Sequence, residues 1–262
     1  MATKREARIL AVVNQKGGVG KTTTAVNLCA YLAQAGKRVL LVDCDPQSNA
    51  TSGVGLDKAA VTTGLYDVLV ENVPFADIIV KDVADIKGFD LAPSTIDLSG
   101  AEMVLYTEQN FARESVLARA MKDVRGTYDY IFIDAPPSLG LITINILTAS
   151  SGLIIPIQCE YYALEGISQL LSVVERIQER LNTALSIDMV VLTMQDYRTN
   201  LSQQVISDVR DYFGDKVART LIPRNVRLSE APSYGQPISL YDAKSKGAAA
   251  YAQLAKEVIE KL

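Results

Sequence analysis

The chain has 262 residues, 48% of them apolar and 21% charged, which suffices for one large globular domain or two small ones with a real core and excludes a disordered chain. It has no histidine, and its cysteines, Cys29, Cys44 and Cys159, lack C-x-x-C spacing; this excludes Ser-His-Asp and Cys-His catalysis and imidazole metal ligation, and argues against a disulfide framework, a zinc site or a cysteine-held cluster. The net charge of −4 is unevenly spread: residues 1–56 hold 7 basic and 3 acidic side chains, 57–134 hold 7 and 14, 135–215 hold 4 and 9, and 216–262 hold 8 and 4.

After the basic start "TKREAR", the apolar run at 9–13 is too short for a signal peptide, and no stretch approaches the ~18 to 20 apolar residues of a membrane span, so a cytosolic protein is expected. Apolar runs rich in β-branched residues predict strands at 8–14, 38–43, 89–94, 130–134, 152–158, 187–193 and 217–223. Amphipathic patterns predict helices at 21–35, 101–124, 163–181, 200–213 and 245–262. Alternation of this kind specifies a mostly parallel twisted sheet with helices on both faces. No linker, repeat or low-complexity tract divides the chain, so residues 1–262 are expected to form a single α/β domain.

The stretch "NQKGGVGKTTTAVNL" at 14–28 joins the first strand to the first helix. Glycines at 17, 18 and 20 let backbone N–H groups turn inward around phosphate oxygens, and the helix N-terminus adds partial positive charge. Gly17, Gly18, Val19, Gly20, Lys21, Thr22 and Thr23 are therefore the expected nucleotide-phosphate site of a P-loop NTPase fold, with Lys21 neutralising the β- and γ-phosphates and the Thr22 hydroxyl placed to ligate Mg²⁺. "YIFIDAPP" ends a neighbouring strand at Asp134, where open α/β sheets bind ligands, and Asp134 is placed to hold a Mg²⁺-bound water. "VLLVDCDPQSNATSG" offers Asp43 and Asp45: one can support the metal shell or the loop lysine while the other orients an attacking water, which puts Asp45 beside Thr22 and Asp134 among the candidate metal residues. Pro46 indicates that the chain is already turning at Asp45.

Near the carboxyl end, residues 216–247 carry six basic side chains, Lys216, Arg219, Arg224, Arg227, Lys244 and Lys246, against Glu230 and Asp242. Interleaved Ser and Gly, with no recognition-helix motif, read as contact with a nucleic-acid backbone and not with base edges.

Together these blocks resemble the deviant-Walker P-loop ATPases, and within them the ParA/Soj partition branch. "NQKGGVGKTT", "LLVDCDPQSNATSG", "FIDAPPSLG", "QCEYYALEG", "LTMQDYRTNLS" and "IPRNVRLSEAPSYGQPI" follow that branch's order over nearly the whole chain. The resemblance implies that Lys16, the extra lysine of the loop, reaches across an ATP-sandwiched homodimer to the phosphates of the other subunit. It further implies that Asp45 positions the attacking water, that Asp134 serves Mg²⁺, and that Gly17 lies where two subunits approach too closely for a side chain. Met194, Pro223 and Asn225 match the adenine-contacting edge. By the same resemblance, Arg198, Arg227, Lys244 and Lys246 bind double-stranded DNA non-specifically on the nucleoid, and a ParB-like or cargo-adaptor protein stimulates weak hydrolysis.

Two other classes share the loop. A MinD-like membrane ATPase ends in a basic amphipathic helix; here Tyr251, Leu254, Ala255, Val258, Ile259 and Leu262 form an apolar stripe, but the polar face mixes Lys256 and Lys261 with Glu257 and Glu260, so a docked core helix and no membrane contact are expected. A metabolic P-loop enzyme would lack the "RTNLS" and "PRNVRLSEAPS" blocks. Paired cysteines, which the nitrogenase iron-protein branch needs, are not in the corresponding blocks.

Overall fold

The computed structural model describes residues 6–107, 112–160 and 165–262. Six strands, β1 (Arg8–Val12), β2 (Val39–Asp43), β3 (Phe89–Ala92), β4 (Tyr130–Asp134), β5 (Gly152–Gln158) and β6 (Ser186–Thr193), pair in parallel in the order β3-β2-β4-β1-β5-β6. The strands β2, β4 and β1 are buried almost throughout because helices cover both faces. Side chains alternate between two cores: Ile9, Ala11 and Val13 enter one, and Leu10 and Val12 enter the other.

The helices are α1 (Lys21–Gln34), α2 (Asn49–Gly53), α3 (Leu65–Leu69), α4 (Leu98–Thr107), α5 (Val116–Ala120), α6 (Leu141–Ala149), α7 (Glu165–Arg180), α8 (Asn200–Phe213), α9 (Val226–Glu230), α10 (Ile238–Tyr241) and α11 (Lys246–Lys261). The first core takes Ile146 of α6, Leu170 of α7 and Val209 of α8; the second takes Leu28 and Leu32 of α1 with Tyr251, Leu254 and Val258 of α11. Because the strand sequence reverses about β1, the carboxyl ends of β1, β2 and β4 border the crevice where such sheets bind ligands.

The short helices α2, α3, α9 and α10 form where no helix is expected, and three longer elements also depart from the expectations. The 217–223 run is not a strand: it makes only isolated parallel bridges, Val190 with Val217 and Gln195 with Pro223. The reason is a competing acceptor. The carboxylate of Glu257, 1% exposed on α11, takes the N–H groups of Arg219 (2.9 Å) and Thr220 (2.8 Å), so the middle of the run has no ladder to offer. The 101–124 pattern is split between α4 and α5, with residues 108–111 of it outside the described residues. Helix α6 escapes pattern reading because "LITINILTA" is apolar on all sides and buried on most of them, which leaves no stripe to detect.

Helix α11 docks as expected. Tyr251 is fully buried, its hydroxyl 3.1 Å from the Thr24 hydroxyl of α1, and Ser245 caps the helix by accepting from the Ala248 N–H. Among the described residues no helix is long and apolar enough to cross a membrane.

Candidate nucleotide site

The loop between β1 and α1 is shaped by backbone demands. Gly18 (φ 74°) and Gly20 (φ 90°) lie in the left-handed region, where a side chain is strained. Gly20 also stands at the N-cap of α1 without a side-chain cap, so the first N–H groups of the helix face the crevice unsatisfied by any capping side chain. Gly17 differs: its φ is ordinary and nothing lies within 4 Å of where a Cβ would stand.

Two residues that the motif does not announce hold this loop. Asn14, 3% exposed at the end of β1, donates to the Pro156 carbonyl (2.7 Å) and accepts from the Lys16 N–H (2.9 Å), tying the loop entrance to β5. Thr193, at the end of β6, donates its hydroxyl proton to the Val19 carbonyl (2.9 Å). Each is a polar residue ending an apolar strand at the ligand edge, and that position is the only sequence signal for either.

Lys21 is buried, and its ammonium donates to the Lys16 carbonyl (3.3 Å). Burial lowers its pKa, opposed by the negative charges of Asp134 and Asp45. Lys16 has a different partner. Its ammonium is 3.8 Å from Glu160, and its side chain is 39% exposed.

The carboxylates divide by their partners. Asp43 accepts at one oxygen from the Asp45 N–H (3.1 Å) and at the other from the Thr51 N–H (2.8 Å) and hydroxyl (2.7 Å). It therefore braces the turn and α2, and burial pushes its pKa up to about 6 despite those donors. Asp45, past the strand end as Pro46 indicates, accepts at one oxygen from the Gln47 N–H (2.9 Å). Asp134 is fully buried with both oxygens lacking a hydrogen bond of normal geometry. Burial, then the neighbouring charge of Asp43, drives its pKa well above the carboxylate range; the Thr22 hydroxyl and Lys21 ease its charge only in part. A buried carboxylate at the phosphate loop whose charge its neighbours offset only in part fits a divalent cation or its bound water, with Thr22 as the accompanying hydroxyl.

Met194 (φ 53°) and the 223–225 segment meet at one edge: the Gln195 N–H donates to the Ile222 carbonyl (3.0 Å) and the Arg224 N–H to the Gln195 carbonyl (3.0 Å). The Asn225 side-chain oxygen is already engaged, capping α9 by accepting from the Arg227 N–H (2.8 Å).

The basic candidates fall into two groups. Arg198 pairs with Asp196 (2.7 Å), which holds that carboxyl well below its usual range, and Arg224 pairs with Glu160 (3.1 Å). Arg227 pairs with Glu230 (2.9 Å) and Asp242 (3.5 Å), while the backbone of Lys244 donates to the same Asp242. Lys244 and Lys246, at the start of α11, are exposed and have no ion-pair partner among the described residues.

Comparison with known proteins agrees with this geometry. A family model described as an AAA domain matches residues 7–187. The chain is 59% identical to the sporulation initiation inhibitor protein Soj of Bacillus subtilis, over 96% of this chain and 98% of that protein. It is 51% identical to the chromosome-partitioning ATPase Soj of Treponema pallidum, over 96% and 97%. Among solved structures, cobyrinic acid a,c-diamide synthase from Mycobacterium smegmatis, bound to an ATP analogue and magnesium, superposes with a TM-score of 0.84 at 37% identity, covering 97% of this chain and 95% of that one. With a parallel sheet, a phosphate loop and relatives of this identity over nearly its whole length, the chain belongs to the Soj/ParA family of chromosome-partitioning ATPases.

Proposed function

We propose that residues 1–262 act as one ATPase unit that binds ATP and Mg²⁺ at the β1–α1 loop, closes into a homodimer around two nucleotides, and in that state binds double-stranded DNA without sequence preference. Lys21 and Thr22 engage the phosphates and the metal, Asp134 the metal's water, and Asp45 the attacking water. A ParB-like or cargo-adaptor protein then times hydrolysis and release, in the cytoplasm and on the nucleoid. Electrostatic attraction to the DNA backbone supplies the affinity, and two basic surfaces on one dimer multiply a weak single contact.

Gly17 is the observation that carries the dimer. Neither its φ nor its surroundings require glycine within one protomer, unlike Gly18 and Gly20. A second molecule approaching the loop supplies the missing reason, and Lys16, whose half-exposed ammonium faces Glu160, is the charge that such an approach would use. The test is binding to unrelated DNA duplexes with ATP, with ADP and without nucleotide across a salt series. Binding only with ATP, weakening steeply with salt, is expected; equal binding in all three states, or none, overturns the reading.

A further inference from the structure

Lys16 is fixed at three points. Asn14 accepts from its N–H, Lys21 donates to its carbonyl, and its ammonium faces Oε2 of Glu160 at 3.8 Å. Glu160 is itself oriented for that contact: its other oxygen, Oε1, accepts from the Gln158 side chain (2.6 Å) and from Arg224 (3.1 Å). The carboxylate is thus anchored on one oxygen by two donors and presents the other to the lysine. It sits two residues past the end of β5, the strand to which Asn14 ties the loop, so backbone and side chain of Lys16 are referenced to one strand.

From this arrangement we propose that Glu160 is a positioning residue that retains Lys16 on its own protomer before the dimer forms, and so sets the nucleotide concentration at which the dimer assembles. This role rests on the ATP-sandwiched dimer proposed for the chain. A lysine drawn to the phosphates of a second subunit must first leave Glu160, and the half-exposed pair resists that transfer modestly, as pairs screened by solvent do. The contact biases the monomer without locking it.

The test uses the full chain and two variants, Glu160→Gln and Lys16→Gln, alone and combined. Glu160→Gln is expected to lower the concentration of a slowly hydrolysed ATP analogue needed for half-maximal dimer, measured by sedimentation, by about two- to five-fold. In the Lys16→Gln background, where the lysine the dimer uses is gone and dimerisation is itself expected to be weakened, adding Glu160→Gln is expected to bring no recovery, since the group it retains is absent. No effect of Glu160→Gln alone, a weaker dimer, or an equal effect in both backgrounds overturns the proposal.

Amine labelling of the nucleotide-free protein, read at Lys16 by peptide mass spectrometry, separates this proposal from the dimer reading. Glu160→Gln is expected to speed labelling of Lys16 while leaving Lys37 and Lys87 unchanged, and unchanged labelling of Lys16 overturns retention. Faster labelling without an ATP-dependent dimer in any variant upholds retention and refutes the sandwich.

Discussion

Asp43 and Asp134 are register partners on β2 and β4, both fully buried, yet only Asp43 has its carboxylate hydrogen-bonded. The pair concentrates negative charge in the core and leaves one member for an external cation. That arrangement costs stability when no cation is bound, as sites built for function often do.

Asp134→Asn replaces a fully buried carboxyl, whose charged form burial and Asp43 disfavour, with a neutral amide at nearly constant volume. In the absence of Mg²⁺ and nucleotide it is expected to stabilise the fold at pH 7.5 by about 2 kcal/mol, or roughly 4–8 °C in Tm for a chain of this size, while abolishing Mg²⁺-dependent hydrolysis. The sign with pH is fixed by the direction of the shifts. Asp43 and Asp134 hold protons in the folded state at pH values where the unfolded chain has released them, so stability falls as pH rises from about 4 through 6. Urea unfolding of both proteins across that window is expected to give a flatter profile for Asp134→Asn; a parallel profile would place the shift elsewhere.

Gly17 and Gly20 lie three residues apart and predict opposite behaviour. Gly17→Val meets open space in the protomer, so folding and nucleotide binding are expected to stay near the parent's, while ATP-dependent dimerisation alone disappears. Gly20→Ala meets only an ordinary contact with Thr193 (3.8 Å), but at φ 90° the strain costs roughly 1–2 kcal/mol and is expected to weaken nucleotide binding itself. Nucleotide titration together with sedimentation separates the two effects. A Gly17→Val protein that dimerises normally would mean that no second subunit packs against position 17.

How much of the fold and the site is legible in the sequence depends on where each residue's partners lie. The phosphate loop is contiguous in sequence, so 17–23 and its glycine demands can be read there, as can Asp134 and the turn at Asp45. The division of labour between Asp43 and Asp45 cannot, because it is decided by Thr51, eight residues on, whose N–H and hydroxyl both go to Asp43. Glu257 overrides the 217–223 strand from 37 residues away, and Glu160 joins Lys16 to Arg224 across 144 and 64 positions. Local patterns carry propensity, while long-range acceptors decide which backbone groups are free to form a ladder.

Glu257 makes a prediction about folding alone. Glu257→Ala strips the acceptor from two backbone N–H groups in a half-buried segment, and from the Thr220 hydroxyl that also donates to it. A destabilisation of about 3 kcal/mol is expected, lowering Tm by roughly 6–12 °C, with increased hydrogen exchange at Arg219 and Thr220. Exchange unchanged at those two amides would mean that another acceptor replaces the carboxylate.

The DNA reading can be resolved residue by residue through salt dependence. Arg198, Arg224 and Arg227 already have carboxylate partners, so moving one of them to a phosphate exchanges one ion pair for another. Lys244 and Lys246 have none among the described residues, so in the proposed DNA-bound state each would neutralise a phosphate outright. Each lysine-to-alanine change is therefore expected to reduce the slope of log K against log salt by about 0.9 for every phosphate left unneutralised, and to weaken binding uniformly across sequences. Arg198→Ala is expected to change the slope less, because it strips Asp196 of its ion-pair partner at the proposed DNA-facing edge, so that its main effect is on affinity at fixed salt. Slopes unchanged from the parent's in all of these variants would show that the residues lie outside the DNA contact, and ATP-dependent dimerisation measured alongside would show whether any of them belongs to the subunit interface instead.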